Sequence, residues 1–221
     1  MNIQNKSLLY IAYLGLIAYS LWIFSFIFNP RLSYTQSYVS ELDVTGQPYV
    51  WLVRVGNFVG AMLLFTAFYS YFLKAKLNKL SIEKIHLLKI LSIATGAAII
   101  NAFFPMDCSA SESKVCFQQQ QRYSFGFSQW VHLITSIIMF GGLIYAQYFA
   151  TFKLLKFTKS KLWYRVGLIG FFSQILLNSF LIVVSITGYG PIGLLQRISL
   201  LMFEVWLIVI ILNKKLKLLY I

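Results

Sequence analysis

Seven ionisable side chains stand apart from a lysine-rich background and could do chemistry: Glu41, Asp43, Arg54, Asp107, His132, Arg197 and Glu204. Carboxylates and an imidazole exchange protons with a substrate within hydrogen-bond reach. A guanidinium grips a phosphate or carboxylate with its planar fork. Glu41, Asp107, His132 and Arg197 form the candidate catalytic or binding set, with acids and a histidine for proton transfer and an arginine for an anionic group. Gln129 and His132 are three residues apart, hence on one face of a helix, and Ser136 continues that face. Ser40, Asn178 and Glu204 complete the polar positions expected to be buried. Each also has an ordinary structural reading. Arg54 and Arg197 can snorkel to the interface, Asp107 can sit solvated, and His132 can donate to a backbone carbonyl. Glu204 needs a cation, a proton or a neighbouring helix to lie at membrane depth, and Asn178 is a candidate partner.

Familiar catalytic arrangements are missing. The chain has no Gly-x-Ser-x-Gly, no His-Glu-x-x-His and no phosphate-binding loop. A catalytic zinc takes three protein ligands, and with two histidines in the whole chain no metal or other cofactor is expected.

The elements that must position these residues follow from apolar blocks. Hydrophobic residues make up 59% of the 221 and charged ones 11%, far from the balance of a water-soluble domain. Six stretches are long enough to cross a bilayer as helices: Ser7–Phe28, Tyr49–Leu73, Ile90–Pro105, Phe127–Phe149, Leu162–Ile186 and Ile192–Leu212. The fold class is therefore all-α, a polytopic membrane helix bundle forming one domain over 1–221. The first stretch is longer than a secretory h-region and ends in Phe24-Ser25-Phe26-Ile27-Phe28-Asn29-Pro30, without a small-residue cleavage site. It reads as an uncleaved span.

A net charge of +13 would suggest nucleic acid in a soluble protein, but its distribution points to the membrane. Lys74, Lys76, Lys79, Lys84 and Lys89 fall between spans two and three. Lys153, Lys156, Lys159, Lys161 and Arg165 fall around the connection of spans four and five, and Lys214, Lys215 and Lys217 in the tail. Basic residues gather in cytoplasmic loops, which sets both termini inside a cell membrane and predicts anionic lipid at the cytoplasmic face. No nucleic-acid partner is expected. The lysine-bearing segment between spans two and three reads as an amphipathic turn at the interface or as a plain connector. Cys108 and Cys116 fall in a loop placed outside, where a disulfide is permitted.

At the same polar positions the chain resembles the prokaryotic family catalogued as domain of unknown function 998. The resemblance rests on Tyr38-Val39-Ser40-Glu41-Leu42 with Gly46 and Pro48, on Phe104-Pro105-Met106-Asp107, on His132, and on Gly193-Leu194-Leu195-Gln196-Arg197. The first outer loop is more distantly similar to that of the Frag/DRAM/Sfk group of six-helix proteins, some of which handle lipids or lipid anchors. A superfamily of membrane hydrolases using Ser, Asp and three His is a poorer fit, because this chain lacks those histidines. Three functions are open to such a chain. The leading expectation is an outward-facing polar site that binds or modifies a lipid or lipid-linked headgroup. A small proton-coupled transporter working through Glu204 and a non-catalytic accessory subunit are the alternatives.

Overall fold

The structure, a computed structural model, describes residues 3–24, 27, 29–157, 161–188 and 190–212. Every regular element among them is helical. Seven α-helices follow in order: α1 (Ile3–Tyr19), α2 (Val50–Leu77), α3 (Ile82–Phe103), α4 (Lys114–Gln121), α5 (Phe127–Phe149), α6 (Lys161–Thr187) and α7 (Ile192–Trp206). Tighter 3-10 turns cover Ser20–Phe24, Val39–Asp43 and Leu155–Phe157, and wider π turns continue α5 over Ala150–Leu154 and α7 over Leu207–Ile211. With these continuations every helix except α4 is long and apolar enough to span a membrane, six spans in all. The chain is a multi-pass membrane protein. Helices satisfy their own backbone where no water can, and Ile17, Ile169, Phe172 and Leu176 are exposed around the bundle, where lipid tails would cover them.

The spans agree in number with the sequence reading, but their ends differ. Helix α2 runs to Leu77 and α3 starts at Ile82, so the lysine segment is two helix ends with a short turn at 78–81. The connection itself is short, and Lys74, Lys76, Lys84 and Lys89 lie on the helices it joins. Lysine is a good helix former, and Lys74 and Lys76 in the last turn of α2 oppose its dipole. The regular helix of the first span ends at Tyr19. Phe28, Lys159 and the tail lysines Lys214, Lys215 and Lys217 lie outside the described residues.

Helix packing brings two glycines into play that the sequence reading passed over. Gly56 and Gly60, four apart on α2, form a small-residue seam of the kind that lets membrane helices approach closely. A Cβ on Gly60 would fall 2.6 Å from the backbone nitrogen of Tyr19, and one on Gly56 2.6 Å from Leu21 Cδ1. Helix α3 packs on α2 and on α5, while α6 packs on α7. Around Phe68, Leu87, Leu88, Leu91, Leu155 and Ile211 the bundle has its largest apolar core.

Two ends result. At one, the segments 29–49 and 104–126 meet the end of α6 and the start of α7, joined by Ser37 to Ser111, Tyr38 to Ser185 and the Leu194 N–H to the Thr35 carbonyl. We call this the loop end. The other carries the turn at 78–81 and the lysines of α2 and α3, and is the lysine end. Helix α4 is an unexpected feature of the second long loop. Ser113 caps it by accepting from the Cys116 N–H at 3.3 Å, and a disulfide joins Cys108 to Cys116.

Candidate functional site

The 3-10 turn Val39–Asp43 carries Glu41 into the interior of the loop end, where its exposure is 0%. Its carboxylate accepts from Ser109 Oγ at 2.7 Å, from Ser111 Oγ, and from the Ser111 N–H at 3.3 Å. Burial pushes the Glu41 carboxyl above the ordinary range, and these three donors pull it part of the way back. Ser111 Oγ also lies 2.7 Å from Ser37 Oγ. One buried carboxylate thus ties the first long loop to the second.

Arg197 lies one turn into α7 and is 3% exposed. Its Nη1 donates to the carbonyls of Tyr34 at 2.9 Å and Ser37 at 2.8 Å, and the guanidinium stands 4.5 Å from the centre of the Tyr34 ring. Its Nε is buried without an acceptor. Gly193, one turn earlier, makes this approach possible, because a Cβ there would fall 2.2 Å from the Ser37 carbonyl oxygen. Gln196 adds a further clamp, its Oε1 accepting from the Val39 N–H at 2.6 Å. The Gly-Leu-Leu-Gln-Arg run is therefore a cradle for the first loop. Snorkelling does not describe Arg197.

Asp107 and His132 belong to the neighbouring corner. Asp107 is exposed, and its Oδ2 accepts at 2.9 Å from the N–H of Gly126, the residue just before α5. The Asp107 N–H donates to Gln129 Oε1 at 3.3 Å. His132, 8% exposed, has Nδ1 2.8 Å from the Phe104 carbonyl. A carbonyl only accepts, so the proton resides on Nδ1. Asn101 then ties α3 to α5 through the His132 carbonyl, Thr135 and Ser136. Ser40 bridges the two corners by donating to Met106 Sδ at 3.0 Å. Glu41 and Arg197 thus share one hydrogen-bond network through Ser37 and Ser111, while Asp107 and His132 flank the entry to α5. Among the described residues, no direct hydrogen bond joins any two of the four.

The deeper polar residues have other partners. Glu204, 8% exposed, accepts from Trp22 Nε1 at 3.0 Å. Asn178 does not serve it. That amide donates to Gln174 and to Ser199 Oγ at 3.1 Å, stitching α6 to α7.

Beside the Glu41 network the surface opens into a pocket of about 290 Å³, lined by Arg31, Thr45, Gln47, Asp107, Ser109 and Glu112 among others. Of the four candidate residues Asp107 lines it, and Ser109, which donates to Glu41, places that carboxylate directly behind the pocket wall. Gln47 spans the rim, accepting from Asn29 at 2.5 Å and donating to Glu112. A cation, two carboxylates and several hydroxyls around one open space can hold a polar group bearing both signs of charge. A hydroxyl backed by a carboxylate of raised basicity can also pass on a proton. His/Cys/Asp/Glu groupings that could hold a metal ion are absent among the described residues.

The motif residues that build this end fall inside a stretch with a known profile. Residues 14–213 match the family described as protein of unknown function DUF998. The chain belongs to the DUF998 family. No curated protein and no solved structure matches it. The DUF998 match takes in all six spans in whole or part and every polar residue of the loop end.

Within this DUF998 chain, the sequence reading noted Asp43 and Arg54 but gave neither a role in the site. Asp43 is 2% exposed, and burial pushes its carboxyl up to about 7 against the pull of Arg54. Its Oδ1 has no hydrogen-bond partner. Arg54 grips the Asp43 backbone carbonyl instead, through Nε at 2.9 Å and Nη2 at 2.6 Å, and reaches Thr45 Oγ1 at 3.0 Å. The pocket residues Arg31, Ser109 and Glu112 were also missed. Their signal was weak, being single polar residues in loops, although the acidic run Glu41-Leu42-Asp43 beside Arg54 was there to be read.

Proposed function

We propose that this protein binds the polar headgroup of a lipid, or of a lipid-linked molecule, in the pocket at its loop end, and that this end faces outward from the cell membrane. The observation that carries the reading is the lining of that pocket, which brings Arg31, Asp107 and Glu112 together with the hydroxyls of Thr45, Ser109 and Ser113 around one open space. Arginine pairs with a phosphate in charge-assisted fashion, and carboxylates take an ammonium group. A headgroup carrying both, of the phosphoethanolamine type, fits that arrangement. Glu41, His132 and Arg197 support the pocket from behind by fixing the loops that form its walls, so the reading is binding rather than turnover. The outward orientation rests on the lysines at the opposite end.

The test has two arms. Single cysteines replacing Ser113 and Lys79 report orientation, and the reading expects labelling of Ser113→Cys from outside and Lys79→Cys from the cytoplasm. Titration of the purified protein with a short-chain phosphoethanolamine lipid reports binding, with the glycerophosphate headgroup alone in a parallel titration. Arg31→Ala should weaken binding at least about tenfold, the worth of one hydrogen bond to a charged group. Equal binding by wild type and Arg31→Ala, or labelling of both cysteines from one side, would overturn the reading.

A further inference from the structure

At the opposite end of the bundle, α3 and α5 leave a second open space between them, a groove of about 410 Å³. Its lining is graded along the helices. His86, Lys89 and Tyr145 stand toward the lysine end, and Ile93, Ile138 and Gly141 lie deeper. His86 and Lys89 are three apart and Ile93 follows Lys89 by one turn, so all three share a face of α3. On α5, which runs the other way, Ile138 to Tyr145 covers about 10 Å at 1.5 Å per residue. The Tyr145 hydroxyl meets His86 Nε2 at 3.3 Å, and the imidazole packs 4.6 Å from the Phe149 ring. Lys89 is exposed beside them.

Glycine shapes the floor. Gly142 lets α5 settle on α3, since a Cβ there would come 3.0 Å from Ala94 Cβ, whereas a Cβ on Gly141 would meet nothing within 4 Å. Gly141 is thus a gap in the lipid-facing surface and not a packing requirement.

We propose that this groove is a binding site for one anionic phospholipid, its phosphate at Lys89 and His86 and an acyl chain lying over Gly141 between Ile93 and Ile138. Charge complementarity selects the occupant. Basic pockets between membrane helices at the cytoplasmic side hold acidic headgroups, and the polar-to-apolar grading of the lining runs in the same sense as a lipid from headgroup to tail. Tyr145 presents a hydroxyl at the depth of the ester region, the usual station of an interfacial aromatic. A zwitterionic lipid would bring its own cation along with the phosphate and leave the net positive charge at Lys89 uncompensated.

The site is independent of the headgroup pocket at the loop end, and one experiment separates them. The purified full-length protein is exchanged into mixed micelles holding equal phosphatidylglycerol and phosphatidylcholine of the same chains, and retained lipids are counted by native mass spectrometry. Wild type should retain the anionic lipid in preference. Lys89→Gln should reduce that preference about fivefold, the worth of one lysine at a charged membrane surface. Gly141→Leu should fill the groove and displace the lipid while circular dichroism shows unchanged helix content. Arg31→Ala, at the other end, should leave the retained anionic lipid in place. The proposal is overturned if wild type shows no preference, if Lys89→Gln and Gly141→Leu both retain the lipid as wild type does, if Arg31→Ala alone releases it, or if a protein dimer, and no lipid, is what Gly141→Leu abolishes.

Discussion

At the loop end, Glu41 is fully buried and receives three donors from two serines, and Gln129, 6% exposed, accepts from the Asp107 backbone. In the lysine-end half, Gln147 is as deeply buried, at 1%, yet neither of its side-chain polar atoms has a partner. Thr151 Oγ1, within the first π turn, and Trp206 Nε1, just before the second, are also unpartnered. Buried polar atoms without partners occur at the loop end too, on Asp43 and Arg197, so the contrast lies in the long-range hydrogen bonds, and it shows two ways of holding helices together in a membrane. The loop end is knit by polar groups far apart in sequence, so its order depends on specific partners and on protonation. The lysine-end half rests on the apolar core around Phe68 and Leu91, where dispersion contacts between close-packed side chains hold helices that lipid would solvate equally well.

That difference predicts opposite sensitivities. The largest effect should come from pH, through Asp43 at the loop end. Its carboxyl is raised from an ordinary 3.8 to about 7, so the folded state binds the proton more tightly than the unfolded state. Stability from this group is full below the ordinary value, falls as pH rises, and is lost above about 7, a difference reaching about 4 kcal/mol. Glu41, also pushed up by burial, acts in the same direction. Thermal unfolding followed at pH 5 and pH 8.5 should show the loop end melting earlier at the higher pH, and Asp43→Asn should flatten the dependence. A loop end more stable at pH 8.5 would contradict the placement of Asp43.

Glu41→Ala should come next. It removes the charged acceptor that Ser109 and Ser111 share, leaving these hydroxyls only each other and Ser37, a loss of about 3 kcal/mol for hydrogen bonds to a charged group. Hydrogen exchange should quicken over 34–43 and 107–113 while the lysine-end half keeps its protection. Uniform loss of protection would mean that the two ends are not separable in this way.

How much of this was legible beforehand differs between the ends for the same reason. Span number could be read because about 20 apolar residues in a row have few other fates, and the Cys108–Cys116 bridge because its cysteines are the only two. Span ends were misread where lysines carry α2 and α3 beyond the apolar run, since helix propensity continues past the hydrocarbon. Glu41 and Arg197 stood out in the sequence as charges in a chain otherwise rich in apolar residues. Their partners could not, because Ser109, Ser111 and the Ser37 carbonyl reach them only through tertiary folding. Asp43 was visible as a charge, but burial and an unmet oxygen are not written in residue type. Asn178 was a candidate partner for Glu204 because both are polar and deep, whereas helix register turns Asn178 toward Ser199 and leaves Glu204 to Trp22.

The smallest expected effect has the opposite sign and sharpens the contrast most. Gln147 is buried with its amide nitrogen and oxygen unmatched, a cost that its packing must offset. Methionine has nearly the same length and volume and no polar atom needing a partner. Replacing an unpaired buried polar group by an apolar one of similar shape removes a desolvation penalty without opening a cavity. Gln147→Met should therefore raise stability by about 1 kcal/mol, read as a higher midpoint of thermal unfolding in a fixed detergent. Applied at the loop end, the same exchange of polar for apolar, Gln129→Met, should lower stability, because Gln129 accepts from the Asp107 N–H. If Gln147→Met destabilised the protein as Gln129→Met does, Gln147 would have a partner in the working molecule, such as an ordered water between α5 and its neighbours. The lysine-end half would then share the polar logic of the loop end.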